Sequence, residues 1–215
     1  MRHIEKENEP PTSFTEWKGQ ANESWQPTWD NLQNPQKEDL GQALLREQGG
    51  LCCYCGCELR RNEFHIEHFR PRKAYPHLEL EYDNLHLSCI REFNPGEPRH
   101  CGHAKENHFD ENKVISPLEE DCEKRFSYLL TGEIVPKEKN DEKANYMREL
   151  LKLDIGLLRR QRAEALSRVF DVDFLGEASL ADLQKIRQRF CQRNDSGNFP
   201  PFAHVVARFA EQLME

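Results

Sequence analysis

The chain has 215 residues, a formal net charge of -8, 37 % hydrophobic and 32 % charged residues, and a mean hydropathy of -0.89. That length carries one substantial domain or two small ones with a real apolar core, and the acidic balance argues against a protein that grips nucleic acid by a general basic surplus. No apolar run approaches the roughly 20 residues of a bilayer span, and the opening "MRHIEKENEPP" lacks the apolar centre of a secretory signal, so the chain is expected in the cytoplasm and off the membrane.

Residues 1–50 read as an arm and a lead-in helix. All three tryptophans, Trp17, Trp25 and Trp29, sit in a stretch interrupted by Pro and Asn, and a helical pattern follows with Leu40, Ala43 and Leu44 on one face. Aromatics on a segment with little regular structure are typical interface anchors. The arm is therefore the expected docking element, a packed satellite core beneath it being the other reading. Residues 51–115 are predicted as short strands and turns, with breakers at "FRPRK", "AYP" and "NPGEP". Six of the eight cysteines and seven of the nine histidines fall there.

Residues 116–215 are expected to be helical, with Cys122 and Cys191 in their core. "DEKANYMRELLKLD" has helical spacing, "DIGLLRRQRAEALSRVF" offers Asp154 as N-cap, and "SLADLQKIRQRF" opens on Ser179 with Asp182 three residues on, a capping-box pattern. A last helix, "PPFAHVVARFAEQLM", follows a proline pair.

The cysteine spacing is the most specific signal. "CCYC" presents Cys52 and Cys55 as a CxxC knuckle, and Cys89 with Cys101 can complete a tetrahedral thiolate site for Zn2+. The "IREFNPGEPRH" insert separates the second pair, and its Asn94, Pro95, Gly96 and Pro98 allow it to fold back as a turn and close the site. Buried apolar thiols are the plainer alternative. Cys53 and Cys57 are surplus, although Cys57 is near enough to Cys55 in sequence to be a ligand itself.

Between the cysteine pairs lies "EFHIEHFRPRKAYPHLELEYDNLHLSC". The order acid-His-x-x-Pro, then Asp-Asn-Leu, then Cys, followed by "CGHAKEN" with Lys105 four residues after Cys101, resembles the HNH nuclease motif, a ββα-metal fold on a zinc knuckle. Beyond it, the lead-in helix before "CCYC", the "HFRP" run, "YLLTGEIVP" and "RELLKLDIGLLRRQR" are similar, over nearly the whole chain, to the PtuB-like HNH effectors of Septu-type anti-phage systems, retron-associated ones included. The resemblance implies an α+β protein with a small zinc-stapled ββα-metal unit embedded in a mostly helical chain. It implies a metal-dependent endonuclease that hydrolyses phosphodiester bonds, of DNA rather than RNA, with structural Zn2+ and catalytic Mg2+ or Mn2+. The implied partners are an ATPase and, in the retron-associated systems, a reverse transcriptase and its nucleic acid product.

By the same resemblance His68 is the general base, a task that suits a group titrating near 6.5 when unperturbed. Glu67 takes the place of the acidic metal ligand, an oxygen donor for a hard cation, and Asn84 braces the loop that bears the base. Adjacent strand residues face opposite sides, so Glu67 and His68 serve one site only if the strand ends or bends there, which Pro71 makes feasible. The family's second ligand directly follows the last knuckle cysteine, a position held here by Gly102, which has no side chain. His103 is the nearest substitute, with His100 and His108 behind it. Arg70, Arg72, Lys73 and Lys105 are candidate phosphate contacts, solvated surface being the alternative for each. His65, on the opposite face of the strand from His68, is expected to pack or support.

Other metal motifs fail on spacing. "HIE" fits the zinc deaminases only with a downstream Pro-Cys-x-x-Cys, and "HIEH" is one residue short of the His-x-x-Glu-His protease pattern. A non-catalytic zinc ribbon binding nucleic acid or protein is the remaining alternative, but it has no use for an acid-His pair joined to Asn84. Only residues 146–193 carry a basic surplus, and a small one. That segment reads as a solvated helix face at least as well as a nucleic-acid stripe, so substrate delivery by a partner is expected.

Overall fold

A computed structural model of the chain describes every residue except 8, 61, 62 and 91–95. The predicted fold-back through Asn94 and Pro95 lies outside the described residues.

The N-terminal arm is not a free docking segment. Helix α1 (Thr12–Lys18) packs on α2 (Gln36–Glu47), burying Phe14 and Trp17 against the apolar face of Leu40, Ala43 and Leu44. Met1, Ile4, Trp29 and Leu32 are buried as well. The Ile4 amide donates to Pro117 O at 2.8 Å, and the Arg2 amide to Cys53 O at 3.3 Å. The satellite-core reading therefore replaces the docking one. So many large apolar side chains on one short segment lose more by staying in water than the segment loses by being ordered.

Strand β1 (Phe64–His68) pairs antiparallel with β2 (Leu85–Cys89), placing Glu67 opposite His86 and His65 opposite Ser88. Opposed residues share a face of the hairpin, and the one-turn helix α3 (Gly102–Lys105) meets this face, its Gly102 amide donating to Ser88 Oγ at 3.1 Å.

The helical expectation for residues 116–215 needs one correction. Strands β3 (Phe126–Tyr128) and β4 (Ile134–Pro136) form a second hairpin. Its turn uses Gly132 at φ +80°, where a Cβ would lie 1.9 Å from the Arg159 carbonyl, so only glycine fits. Three-residue strands are too short to show a period, and the flanking helices hid them. The rest is helical: α4 (Glu142–Leu150), α5 (Gly156–Ser167), α6 (Val172–Glu177), α7 (Leu180–Phe190) and α8 (Ala203–Gln212). Helix α8 is buried from Ala203 to Ala210, between α7, α5 and β3.

Asp141 caps α4, and Ser179 and Asp182 form the predicted reciprocal box on α7. Asp154 does not cap α5, which Ile155 precedes. Its carboxylate instead accepts from the Ile134 amide at 3.1 Å and pairs with Arg159 at 2.6 Å, because tying the hairpin to the helix uses the charge better than one orphan amide does. Cys122 is buried as expected, but Cys191 is exposed. Of the basic residues in 146–193, Arg162 is buried on Gly132 O and Leu153 O at 2.6 and 2.8 Å and Arg187 pairs with Glu211, whereas Arg160, Arg168, Lys185 and Arg189 are exposed.

Candidate active site

Strand β1 stops at His68 because the chain is captured there by Asn84. The Phe69 amide donates to Asn84 O at 2.9 Å and the Arg70 amide to Asn84 Oδ1 at 2.7 Å. Asn84 Nδ2 donates in return to Arg70 O at 3.1 Å and Leu78 O at 3.0 Å. Pro71 then opens a turn whose carbonyl accepts from the Ala74 and Tyr75 amides. With the strand ended, Glu67 and His68 both line one cleft of about 450 Å³, together with Pro71, Arg72, Lys73 and Glu79.

Asn84 makes three side-chain hydrogen bonds to this loop. Replacing it by Ala leaves one amide and two carbonyls without these partners, at about 2–3 kcal/mol. The Asn84→Ala protein is expected to melt roughly 4–12 °C lower and to lose activity with the loosened loop, which thermal unfolding of the zinc-loaded chain beside a nuclease assay will check.

His68 is 9 % exposed. Its Nε2 lies 3.0 Å from Glu79 O, and since a carbonyl only accepts, Nε2 carries the hydrogen and Nδ1 keeps the lone pair. Trp29 stands edge-on to the imidazole with 4.4 Å between ring centroids. Burial, opposed by the Glu79 carbonyl and aided by the charge of Arg72, pulls the His68 pKa to about 4. The imidazole is therefore neutral at physiological pH.

Glu67 is buried, and its two oxygens have different company. Oε1 accepts from Tyr54 Oη at 3.2 Å and faces Lys105 Nζ at 2.7 Å, while Oε2 lies 3.3 Å from His65 Nε2. Burial alone favours the neutral acid, but the contact with His65 and the charge of Lys105 outweigh it and hold the carboxyl below its usual range. For His65, burial is outweighed in the same way by Glu67, with the Ile90 carbonyl adding to it, and the pKa rises.

The four predicted phosphate cations separate. Lys105 is only 1 % exposed and donates to His68 O at 3.0 Å as well as to Glu67, so it sits inside the unit as a brace joining the carboxylate to the end of β1. Arg72 is half-buried and pairs with Asp30 at 2.9 Å, whereas Arg70 and Lys73 are exposed. Of the three histidines considered as substitutes at Gly102, His103 directs Nε2 to Ile90 O at 2.9 Å and His108 lies 3.2 Å from Lys105 O. His100 joins the cysteines, with Nδ1 3.2 Å from Cys101 Sγ and 3.7 Å from Cys89 Sγ.

The cysteine cluster could hold a metal ion. The sulfurs of Cys52, Cys55, Cys57 and Cys89 lie within 4.8 Å of one another, and so do the ligand atoms of Cys55, Cys89, His100 and Cys101. Thiolates around one tetrahedral Zn2+ at 2.3 Å stand about 3.8 Å apart, and Cys55 Sγ and Cys89 Sγ are 3.8 Å apart. The Cys89 amide also points at Cys52 Sγ at 3.4 Å, a contact that favours thiolate. The four predicted ligands are divided between the two groups, Cys55 and Cys89 belonging to both, Cys52 standing with Cys57 in one and Cys101 with His100 in the other, and Cys53 is in neither. Sequence reasoning gave no site role to Tyr54, Trp29 or Glu79. Tyr54 carried a signal in its place inside the knuckle, but the other two reach His68 only through the tertiary fold.

No family model matches the chain. Curated relatives do match, and they support a nuclease hydrolase of the HNH kind. In particular, the chain is 28 % identical over 159 residues to a Vibrio cholerae serotype O1 biovar El Tor protein named for retron Vc95 and an HNH endonuclease, covering 71 % of this chain and 72 % of that one. It is 29 % identical over 142 residues to Septu protein PtuB of Bacillus thuringiensis, covering 61 % and 49 %. An Escherichia coli protein named for retron Ec83 and an HNH endonuclease is 27 % identical over 139 residues, covering 52 % and 54 %. The chain thus spans about half the length of the latter two. Among the described residues no helix is long and apolar enough to cross a membrane.

Proposed function

We propose that the chain is a metal-dependent HNH endonuclease that hydrolyses phosphodiester bonds, of DNA in preference to RNA, as the nuclease effector of an anti-phage defence complex with an ATPase partner. In a retron-associated system the complex also includes a reverse transcriptase and its nucleic acid product. The observation that carries this reading is the end of β1: Asn84 stops the strand so that Glu67 and His68, from opposite faces, meet in one cleft.

The roles follow from the contacts. His68 Nδ1 is the base toward the attacking water, its ring held by Glu79 O. A base with a pKa of about 4 is in the right form at neutral pH but weak. A divalent cation bound at Glu67 would supply what is missing, acidifying water and neutralising charge on the phosphate. Lys105 keeps Glu67 ionised and placed; Arg72 and Lys73 at the cleft, with Arg70 nearby, meet the phosphates. Cys52, Cys55, Cys89 and Cys101 would hold Zn2+, which would tie β2 to α3. A plain zinc ribbon would not need an ionised carboxylate kept at a cleft by a buried lysine.

The test is cleavage of labelled duplex DNA, single-stranded DNA and structured RNA in Mg2+ and in Mn2+, with and without the ATPase. His68→Ala is expected to slow cutting by about 10²–10⁴-fold while zinc content stays that of the wild type. Because the base must be unprotonated, kcat/KM is expected to fall at the latest as the pH drops through the His68 pKa of about 4. Undiminished cutting by His68→Ala would overturn the assignment.

A further inference from the structure

We infer that His65 Nε2 and Glu67 Oε2 together hold the catalytic cation, with His65 replacing the side chain that residue 102 lacks, and that this nitrogen ligand biases the site toward Mn2+ over Mg2+. The inference rests on the nuclease reading above and names the ligand which that reading leaves open.

The geometry is specific. A Cβ built on Gly102 would lie 2.6 Å from Glu67 Oε2 and 2.6 Å from His65 Nε2. The space where a side chain from α3 would enter is thus already the meeting point of a carboxylate oxygen and an imidazole nitrogen, and His65 and a larger residue 102 exclude each other. His65 and Glu67 are two apart on β1, so they share a face. Their ligand atoms are 3.3 Å apart. Adjacent ligands of an octahedral cation at about 2.1 Å are separated by roughly 3 Å, so one ion can bridge them with little movement.

The other atoms of the pair are already committed. His65 Nδ1 lies 2.7 Å from Ile90 O, and since a carbonyl only accepts, Nδ1 carries a hydrogen, which leaves Nε2, facing Glu67, as the nitrogen that would give up its proton and take a cation. A backbone carbonyl on the remote ring nitrogen is the usual way a ligating histidine is oriented. Glu67 Oε1 is taken by Lys105 and Tyr54, which leaves Oε2 for the cation. His103 presents Nε2 to the same Ile90 carbonyl at 2.9 Å and would have to leave it to ligate through that atom. The His65 side chain is 24 % exposed, so solvent can reach the pair. An imidazole suits first-row transition cations, whereas Mg2+ favours oxygen ligands, hence the bias toward Mn2+.

The experiment titrates the full chain, with its zinc in place, with Mn2+ followed by the EPR signal of the free ion, and with Mg2+ by calorimetry. Zinc content and melting of every variant are recorded alongside. His65→Ala is expected to weaken Mn2+ binding at least about tenfold, and His103→Ala by less than about threefold. The decisive variant is a swap: His65→Ala combined with Gly102→Asn, in which Glu67 Oε2 must still turn off the new Cβ 2.6 Å away, is expected to recover Mn2+ binding and to narrow the preference for Mn2+ over Mg2+, a gain of function that simple misfolding cannot produce. Wild-type Mn2+ affinity in His65→Ala, or loss in His103→Ala with none in His65→Ala, would overturn the assignment while leaving the nuclease reading intact. A wild-type chain that binds neither cation and cuts equally well in EDTA would overturn the metal-dependent reading itself, and this inference with it.

Discussion

Removing the metal from the cysteine cluster is expected to unfold the middle of the chain. The cluster gathers the knuckle around Cys52 and Cys55, the end of β2 at Cys89, and the start of α3 at Cys101. Those segments form no stable unit by themselves, because a two-stranded hairpin and a one-turn helix are not stable alone. Structural zinc contributes about 10–16 kcal/mol in small zinc modules, against a total stability of about 5–15 kcal/mol for an ordinary domain. Elemental analysis is expected to find about one tightly held Zn2+ per chain, and chelation to abolish the cooperative melting transition. Cys55 and Cys89 belong to both four-ligand groups, so Cys55→Ser and Cys89→Ser should each lose the metal. Comparing Cys57→Ser with Cys101→Ser then decides which group is the real one, and retention in Cys101→Ser would move the fourth ligand to Cys57. Metal-free protein with an undiminished transition would sink the structural-zinc assignment altogether.

What the sequence disclosed and what it hid divide along physical lines. The cysteine positions were legible because zinc imposes a ligand type and a spacing that few other purposes require. The apolar face of α2 and the box on α7 were legible because both depend on neighbours within one or two turns. Lys105 reads along the chain as a candidate phosphate contact, yet it is buried against Glu67, a pairing fixed only by the hairpin bringing the strand end to α3. His65 reads as a supporting residue because it lies on the opposite face of the strand from His68. The volume at Gly102 is filled instead from another strand, which no reading along the chain can show. The β3–β4 hairpin was hidden by its length, and the role of Asp154 by the fact that a helix cap and a tertiary ion pair ask for the same residue.

Deleting residues 1–30 is expected to destroy the fold rather than detach a docking arm. The segment contributes buried Ile4, Phe14, Trp17 and Trp29, and Lys6 Nζ donates to Leu85 O of β2 at 2.8 Å and pairs with Glu47 of α2 at 3.2 Å. Truncating a single buried Phe or Trp costs about 3–5 kcal/mol. Losing three of them approaches or exceeds a typical domain's whole stability of about 5–15 kcal/mol. The truncated chain is therefore expected to be insoluble or to show no cooperative melting, and a truncated protein that melts like the full chain would restore the docking reading. A gentler variant reads the same contact functionally. Trp29 stands edge-on to His68, its amide donates to Glu79 Oε1 at 3.2 Å, and Asp30 holds Arg72. Burial is the main cause of the depressed His68 pKa, so Trp29→Ala is expected to raise it from about 4 toward its ordinary 6.5. The sign follows: the base is then lost to protonation at higher pH, so the acid limb of kcat/KM moves up by about one pH unit or more. Cutting should fall more at about pH 6 than at about pH 8. An acid limb that stays in place in the folded Trp29→Ala protein would show that the tryptophan packs beside the base without tuning it.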